Sequence, residues 1–293
     1  SRGLGDVYKR QILLIPWLLR WVKYTENALE DPKHPVVSHF YGTISVAMLV
    51  LSADYLLILK KTAIAKAFWI PGATLTIFFS LLIPYLMFVE KEIDLKVVTP
   101  AWFIPPVGLI VIPLGGAGLI PSFSGTAKEI AYAVNYFAWG AGFFLYLGLF
   151  AIVFFRFIRH EPMPCEMAPA VWINLGPIGA GTSTLYALVK SSEFIMVKEP
   201  FFAFGLILWG FGVWWLVMAV IMTLHYIRKL TLPYSLAWWA FIFPLGAYVS
   251  ATHNVGTAFG IGVIDSFGFV LYWLLLAIWL VTGVKTIKHM LLE

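Results

Sequence analysis

The chain has 293 residues, of which 61% are hydrophobic, 17% aromatic and 12% charged, and its mean hydropathy is +0.87. Soluble domains carry about 25% charged residues, so this composition excludes an ordinary soluble domain and points to an all-α integral membrane protein that crosses several times. The single cysteine, Cys165, excludes an internal disulfide and any multi-cysteine metal site, and the net charge of +5 carries no nucleic-acid signal.

Taken in chain order, residues 1–11 ("SRGLGDVYKRQ") have no periodicity and no secretory apolar region. They read as a non-native or disordered leader, and 12–293 reads as a single transmembrane transport domain. Ile12–Val22 is apolar apart from Arg20 but too short to span alone. It reads as the remainder of a truncated helix, with a short interfacial helix as the alternative. Spanning segments follow at 42–59, 65–89, 101–121, 129–158, 168–190, 201–227, 235–256 and 262–284, each long enough for the roughly 17–25 residues of a crossing. The connections are short and leave no room for an extramembrane domain.

Charge placement orients these segments. If every segment crosses, one side collects Arg20, Lys23, Lys33, Lys91, Lys96, Arg156, Arg159, Arg228, Lys229, Lys285 and Lys288. The other collects Lys60, Lys61, Lys66, Lys128, Lys190 and Lys198. The excess of positive charge makes the first side cytoplasmic, with the C-terminus inside. Arg2, Lys9 and Arg10 then fall outside, against the trend, which again favours a first helix that is missing.

A Pro-x-Gly core recurs along the chain. It is Pro106-Val107-Gly108 in "FIPPVG", Pro177-Ile178-Gly179 in "NLGPIG" and Pro244-Leu245-Gly246 in "FIFPLG". Gly42 in "HFYGTIS" lies about one further repeat upstream. Each unit reads as a helical hairpin whose first helix carries a mid-span break and whose second is mostly unbroken; Pro71-Gly72 is the exception. A mid-helix proline removes a backbone hydrogen bond, and in lipid freed polar groups cost several kcal/mol each, so broken backbone survives only against protein or a water-filled cavity. Matched breaks therefore predict an inner ring of kinked helices around a pore, with straighter helices outside against lipid.

Four stretches carry a family resemblance: "KHPVVSHFYGTIS" (33–45), "WFIPPVGLIVIPLGGAG" (102–118), "APAVWINLGPIGAG" (168–181) and "YSLAWWAFIFPLG" (234–246). They resemble the tellurite-resistance and C4-dicarboxylate transporter family, which includes slow anion channels, malate permeases and sulfite exporters. The resemblance implies ten helices in five hairpins, with quasi-five-fold inner helices around a central pore in each protomer of a homotrimer. About nine of the ten helices are present here, the first of them partial. The family's pore is closed by a phenylalanine just before a proline, which by motif is Phe243 before Pro244. A large ring beside a kink can block a narrow apolar lumen.

No paired carboxylates, nucleophile constellation or cofactor motif falls inside a span, and the His160-Glu161 and Cys165-Glu166 pairs read as a solvated turn rather than a metal site. The expected partners are small anions and the bilayer, with no cofactor, no metal and no enzymatic activity. The expected pore-lining and kink residues are Gly42, Thr43, Pro106, Gly108, Asn174, Pro177, Gly179, Pro244 and Gly246. Asp54 and His253 are the two titratable candidates for coupling flux to protons; for Asp54 a local pair with Lys60 or Lys61 is the alternative. Several threonines in the spans are expected to bond back to carbonyls four residues earlier. Two readings stay open: a gated anion channel of the cell membrane, and a proton-coupled dicarboxylate carrier or sulfite efflux protein.

Overall fold

Among the described residues each apolar run folds as helix, and no strand occurs. The computed structural model describes residues 37–89, 94–230 and 232–292, with Lys23 before them. The expected leader and the partial helix Ile12–Val22 lie outside the described residues. After one helical turn at Val37–Phe40 come α1 (Gly42–Leu57), α2 (Thr62–Val89), α3 (Ile104–Leu119), α4 (Gly125–Arg159), α5 (Leu175–Ser191), α6 (Glu199–His225), α7 (Ile242–Phe259) and α8 (Gly262–Leu292).

Two classes of helix alternate. The odd-numbered ones have 16 to 18 residues and the even-numbered ones 27 to 35. Three of the short helices follow a 3-10 segment: Pro100–Phe103 before α3, Cys165–Asn174 before α5 and Leu236–Phe241 before α7. The tighter helix rises about 2.0 Å per residue against 1.5 Å. Cys165–Ser191, with 10 residues in one form and 17 in the other, is thus about 46 Å long and exceeds the roughly 30 Å hydrocarbon layer.

The breaks expected in mid-helix are these 3-10-to-α junctions. Pro106, Pro177 and Pro244 are each the third residue of their α-helix. The first N–H groups of an α-helix have no partner within it, so a proline in the first turn sacrifices little. Prolines inside α-helices are found at Pro113 in α3 and at Pro71 and Pro84 in α2, so one of the long helices is interrupted too.

Consecutive helices pair as hairpins: α1 with α2, α3 with α4, α5 with α6, and α7 with α8. The short helices also pack in a row, α1 on α3, α3 on α5 and α5 on α7, and among the described residues no comparable packing joins α7 back to α1. Burial separates the layers. The α3 span is 83% buried within the protein, whereas the spans of α2, α4, α6 and α8 are 17–33% buried. The ends of the row are buried on one stripe only, as Gly42, Ser45, Leu49, Ser52 and Ala53 on α1. Among the described residues five segments are long and apolar enough to cross a membrane: Thr62–Val89, Pro100–Ser122, Gly125–Arg159, Glu199–Arg228 and Gly262–His289. The protein is an all-α, multi-pass membrane protein.

Two devices hold the inner row. The first is close approach at glycine. A Cβ on Gly179 of α5 would lie 2.5 Å from the backbone of Ala247 and Tyr248 on α7, so the two helices meet backbone to backbone there. The second is a set of indole donors reaching inward from the outer layer. Trp69 of α2 bonds the Ile112 carbonyl at 3.0 Å and Trp139 of α4 the Gly181 carbonyl at 3.1 Å. At the α5 junction the Leu175 N–H bonds the Trp172 carbonyl, and the carbonyl one residue earlier, on Val171, accepts the indole of Trp215 from α6 at 2.9 Å. Trp209 of α6 donates to the Thr252 hydroxyl of α7 at 2.9 Å, and the Tyr248 hydroxyl returns a bond to the Trp209 carbonyl.

Each device gives an expected outcome. Gly179→Ala has to force α5 and α7 apart and should cost about 1–3 kcal/mol, as overpacking does; thermal unfolding in detergent checks this, and a wild-type midpoint would show the approach to be unimportant. Trp215→Phe keeps the ring but removes the donor, and should cost about 0.6–1.7 kcal/mol, the range for interhelical bonds in membranes. The same melting assay reads it, with Trp214→Phe on the exposed face as the control that should leave the midpoint unmoved.

Candidate functional site

Two cavities lie along the inner row. The first, about 600 Å³, is bordered by the starts of all four short helices: Thr43 on α1, Ile104 on α3, Gly176 on α5 and Phe243 and Pro244 on α7. The 3-10 segments before α5 and α7 supply much of the remaining wall, including Ile173 and Trp239. The second, about 520 Å³, is bordered by later turns of the same helices, including Asp54, Val111, Ala180 and Gly246, and by Tyr272 and Trp279 of α8. Val50 of α1 and Phe243 of α7 border both. The cavities are thus adjacent and share these two side chains, with Ile242 at the first position of α7 already on the second.

The helices address the cavities with regular stripes. Thr43, Ala47, Val50 and Asp54 follow one another at intervals of four, three and four along α1 and all face cavity space, the spacing of a single helical face. Helical register explains Phe243. It is the second residue of α7, as Thr43 is of α1 and Gly176 of α5, and all three border the first cavity. At one depth, therefore, one helix presents a large ring where two others present a hydroxyl and no side chain. Phe243 is 43% exposed although its neighbours Pro244 and Leu245 are buried, so the ring stands in the hollow rather than in the core.

The expected residues separate into those on the cavities and those that build the walls. Thr43, Phe243 and Pro244 border the first cavity; Asp54, Phe243 and Gly246 border the second. Pro106, Pro177, Gly42, Gly108 and Gly179 are buried and border neither. A Cβ on Gly108 would meet the Thr76 methyl of α2 at 3.0 Å and Val46 of α1 at 3.4 Å, and one on Gly142 of α4 would meet the Pro106 carbonyl at 2.6 Å, so Gly108 packs between α1 and α2 and the Pro106 backbone lies against α4. Asn174, fully buried at the start of α5, also lies off the cavities, beside the Tyr146 hydroxyl of α4. His253 is exposed in the second half of α7, borders neither cavity and has its Nδ1 3.8 Å from Asp265 of α8. The carbonyl of Asp54 closes the end of α1 by accepting from Ile58 and Leu59, and its side chain is half-buried on the second cavity.

The sequence did not single out Val50, Ala47 or Gly176, because an apolar residue on an apolar helix carries no signal until the helix's neighbours are known. The chemistry of the passage is sparse. Among the described residues Thr43 brings the one hydroxyl to the first cavity, and it donates to the Phe40 carbonyl at 2.6 Å. Thr182, Thr184 and Thr252 bond back to the carbonyls four residues earlier, as expected. The second cavity adds Asp54, Ser183, Ser250 and Tyr272. By hairpin topology the four short helices run parallel, so their dipoles point positive ends toward the same side, that of the first cavity.

An inner row of broken helices with hollows in series is a transport architecture, and the sequence itself matches the SLAC1 description, "voltage-dependent anion channel", over residues 11–287. The chain belongs to the SLAC1 family. It is 54% identical over 277 residues to "uncharacterized transporter MJ0762" of Methanocaldococcus jannaschii, covering 94% of this chain and 81% of that one. It is 25% identical to the sulfite efflux pump SSU1 of Arthroderma otae, over 92% of this chain and 76% of the pump. The malic acid transport protein of Schizosaccharomyces pombe is 24% identical over 67% of this chain and 48% of its own length. This SLAC1-family protein is accordingly a membrane anion transporter, and the relatives named are transporters rather than enzymes.

Proposed function

We propose that the chain conducts small anions, of the size of sulfite or a C4-dicarboxylate, down their gradient through the two cavities, and that Phe243 closes the passage between them. The observation that carries this reading is the position of Phe243 on both cavities at once. An apolar ring at a narrow junction expels water and raises the cost of bringing an ion through. Flipping that ring is a motion of one side chain and leaves the row of helices intact. The parallel dipoles of α1, α3, α5 and α7 favour negative charge on the side of the first cavity, while an apolar lining offers no tight binding site. Selection then follows size and dehydration cost.

In this reading the protein sits in the cell membrane with its C-terminus in the cytoplasm, from the excess of Lys and Arg on that side, functions as a homotrimer as the family resemblance implies, and uses no cofactor or catalytic group. Gly42, Pro106, Gly108, Asn174, Pro177 and Gly179 shape the walls, and Thr43, Pro244 and Gly246 line the passage. Residues 12–293 form its one transport domain.

Phe243→Ala should raise anion flux in proteoliposomes by about tenfold or more, the effect of lowering the barrier by about 1.4 kcal/mol; unchanged flux from correctly folded protein would remove the gate. A second reading, a proton-coupled carrier, draws on Asp54, a carboxylate on the second cavity. If it holds, an imposed pH gradient drives malate uptake in wild type and loses its effect in Asp54→Asn. If the passage is a channel, both proteins respond only to the anion gradient and the membrane potential.

A further inference from the structure

Among the described residues one buried charge has no counter-charge. We propose that Arg156, near the end of α4, forms with the turn that closes α6 a binding site for a phosphate group, supplied by an anionic lipid headgroup or by phosphate in solution. Arg156 borders neither cavity, and the site stands apart from the gate at Phe243.

Arg156 lies in the last turn of α4 and is 5% exposed. A long basic side chain near the end of a membrane helix ordinarily extends outward to the interface; this one is turned into the protein. It meets the connection from α4 to α5, where its Nη1 donates to the Glu161 carbonyl at 2.9 Å. Beside it stands Tyr226, also buried, whose hydroxyl donates to the Met163 carbonyl of the same connection at 2.9 Å. Tyr226 opens the one-turn π-helix Tyr226–Leu230 that follows α6, a rare form that is frequent at functional sites. The apolar spans of α4 and α6 end at Arg159 and Arg228, which places the guanidinium at the level where lipid headgroups begin.

These contacts leave the charge uncompensated. A guanidinium carries five N–H donors, and among the described residues Arg156 uses one of them. Its Nε is buried with no hydrogen-bond partner. No carboxylate of the described residues comes within ion-pair distance, Glu161 and Glu166 included; the pairs found are Lys128–Glu193 and His253–Asp265. The Phe157 ring, its centroid 6.0 Å from Cζ, stands at the limit of cation–π range. A buried charge held by one neutral carbonyl is costly, and an anion that takes the free donors removes that cost. The planar fork of arginine fits two oxygens of a phosphate at once. Arg159 follows three residues later on α4 and Arg228 two residues after Tyr226, both exposed, so the approach to the site is positively charged as well. Basic pockets between helices at a membrane face hold anionic headgroups in this way.

The test follows thermal unfolding in a neutral detergent with added phosphatidylglycerol, with diacylglycerol of the same acyl chains, or with sodium phosphate against sodium chloride at matched ionic strength; native mass spectrometry counts the lipid retained. A site-bound ligand near saturation should raise the wild-type midpoint by about 3 °C or more, and diacylglycerol should leave it unmoved. A shift with phosphatidylglycerol alone, with one lipid retained per chain, supports the site and identifies a headgroup as the source. A shift with sodium phosphate over sodium chloride supports it with phosphate from solution. Arg156→Gln keeps a donor for the Glu161 carbonyl but removes the charge and the fork, and should lose both the shift and the retained lipid. Arg156→Lys, which keeps the charge without the fork, should show a smaller shift. Lys288→Gln makes the same charge change at an exposed residue of α8 and should respond as wild type does. A shift kept in full by either variant at position 156, or lost equally in Lys288→Gln, would assign the effect to diffuse surface charge and overturn the proposal. Where Arg156→Gln does not fold, the wild-type arm decides: no shift with either probe and no retained lipid would overturn it as well.

Discussion

The whole architecture depends on one requirement of backbone in lipid: a polar group released from a helix must find a partner inside the protein. Placing Pro106, Pro177 and Pro244 third in their α-helices limits the number of groups released. Burying these junctions, and meeting the Val171 carbonyl with an indole from α6, deals with the remainder. The two layers follow from this. Short helices with irregular starts have to be enclosed, and the long helices enclose them while offering apolar surface such as Phe144, Ile207 and Val263 outward. Tryptophan suits the contact between layers because its bulk is apolar and its single donor is directional.

Enclosure does not require hollows, but the parallel short helices leave them. Their starts converge on one hollow and their later turns on a second. Small residues thin the walls at matching heights, as with Gly176 and Ala180 on α5. What remains are cavities with few polar groups, Thr43 on the first and Asp54, Ser183, Ser250 and Tyr272 on the second, while Thr182, Thr184 and Thr252 lie buried in the walls and bond back to their own helices. On the proposed reading, such a lining discriminates by how readily an ion sheds water. An apolar barrier can be raised or lowered by moving a single ring, whereas a high-affinity site would have to be rebuilt.

Much of this plan was readable from residues. The alternation of hairpins followed from the spacing of Pro106, Pro177 and Pro244, and the spans from apolar runs bounded by charge. The same prolines misled on local geometry: a proline inside a long apolar run reads as a kink, and only coordinates reveal that the helix changes type just before it. Nor do they mark the cavity lining, since Pro106 and Gly108 are buried and border neither cavity. Periodicity gives the faces of a helix but not which face meets which neighbour, especially where nearly every residue is apolar. Phe243 was recoverable through a motif, whereas Val50 had no motif and no chemistry to mark it.

The turn from α7 to α8 has only two residues, Gly260 and Ile261, and Gly260 takes the left-handed conformation that ends α7. The far end of α7 therefore stops at a tight corner, while Phe243 sits at the opposite end, just after the 3-10 segment Leu236–Phe241. Seventeen residues separate them, so the helix acts as a lever about 26 Å long. A tilt of roughly three degrees at the corner carries the ring sideways by about 1.3 Å over that length. In the proposed channel, a small displacement at that corner is thereby magnified at the Phe243 junction.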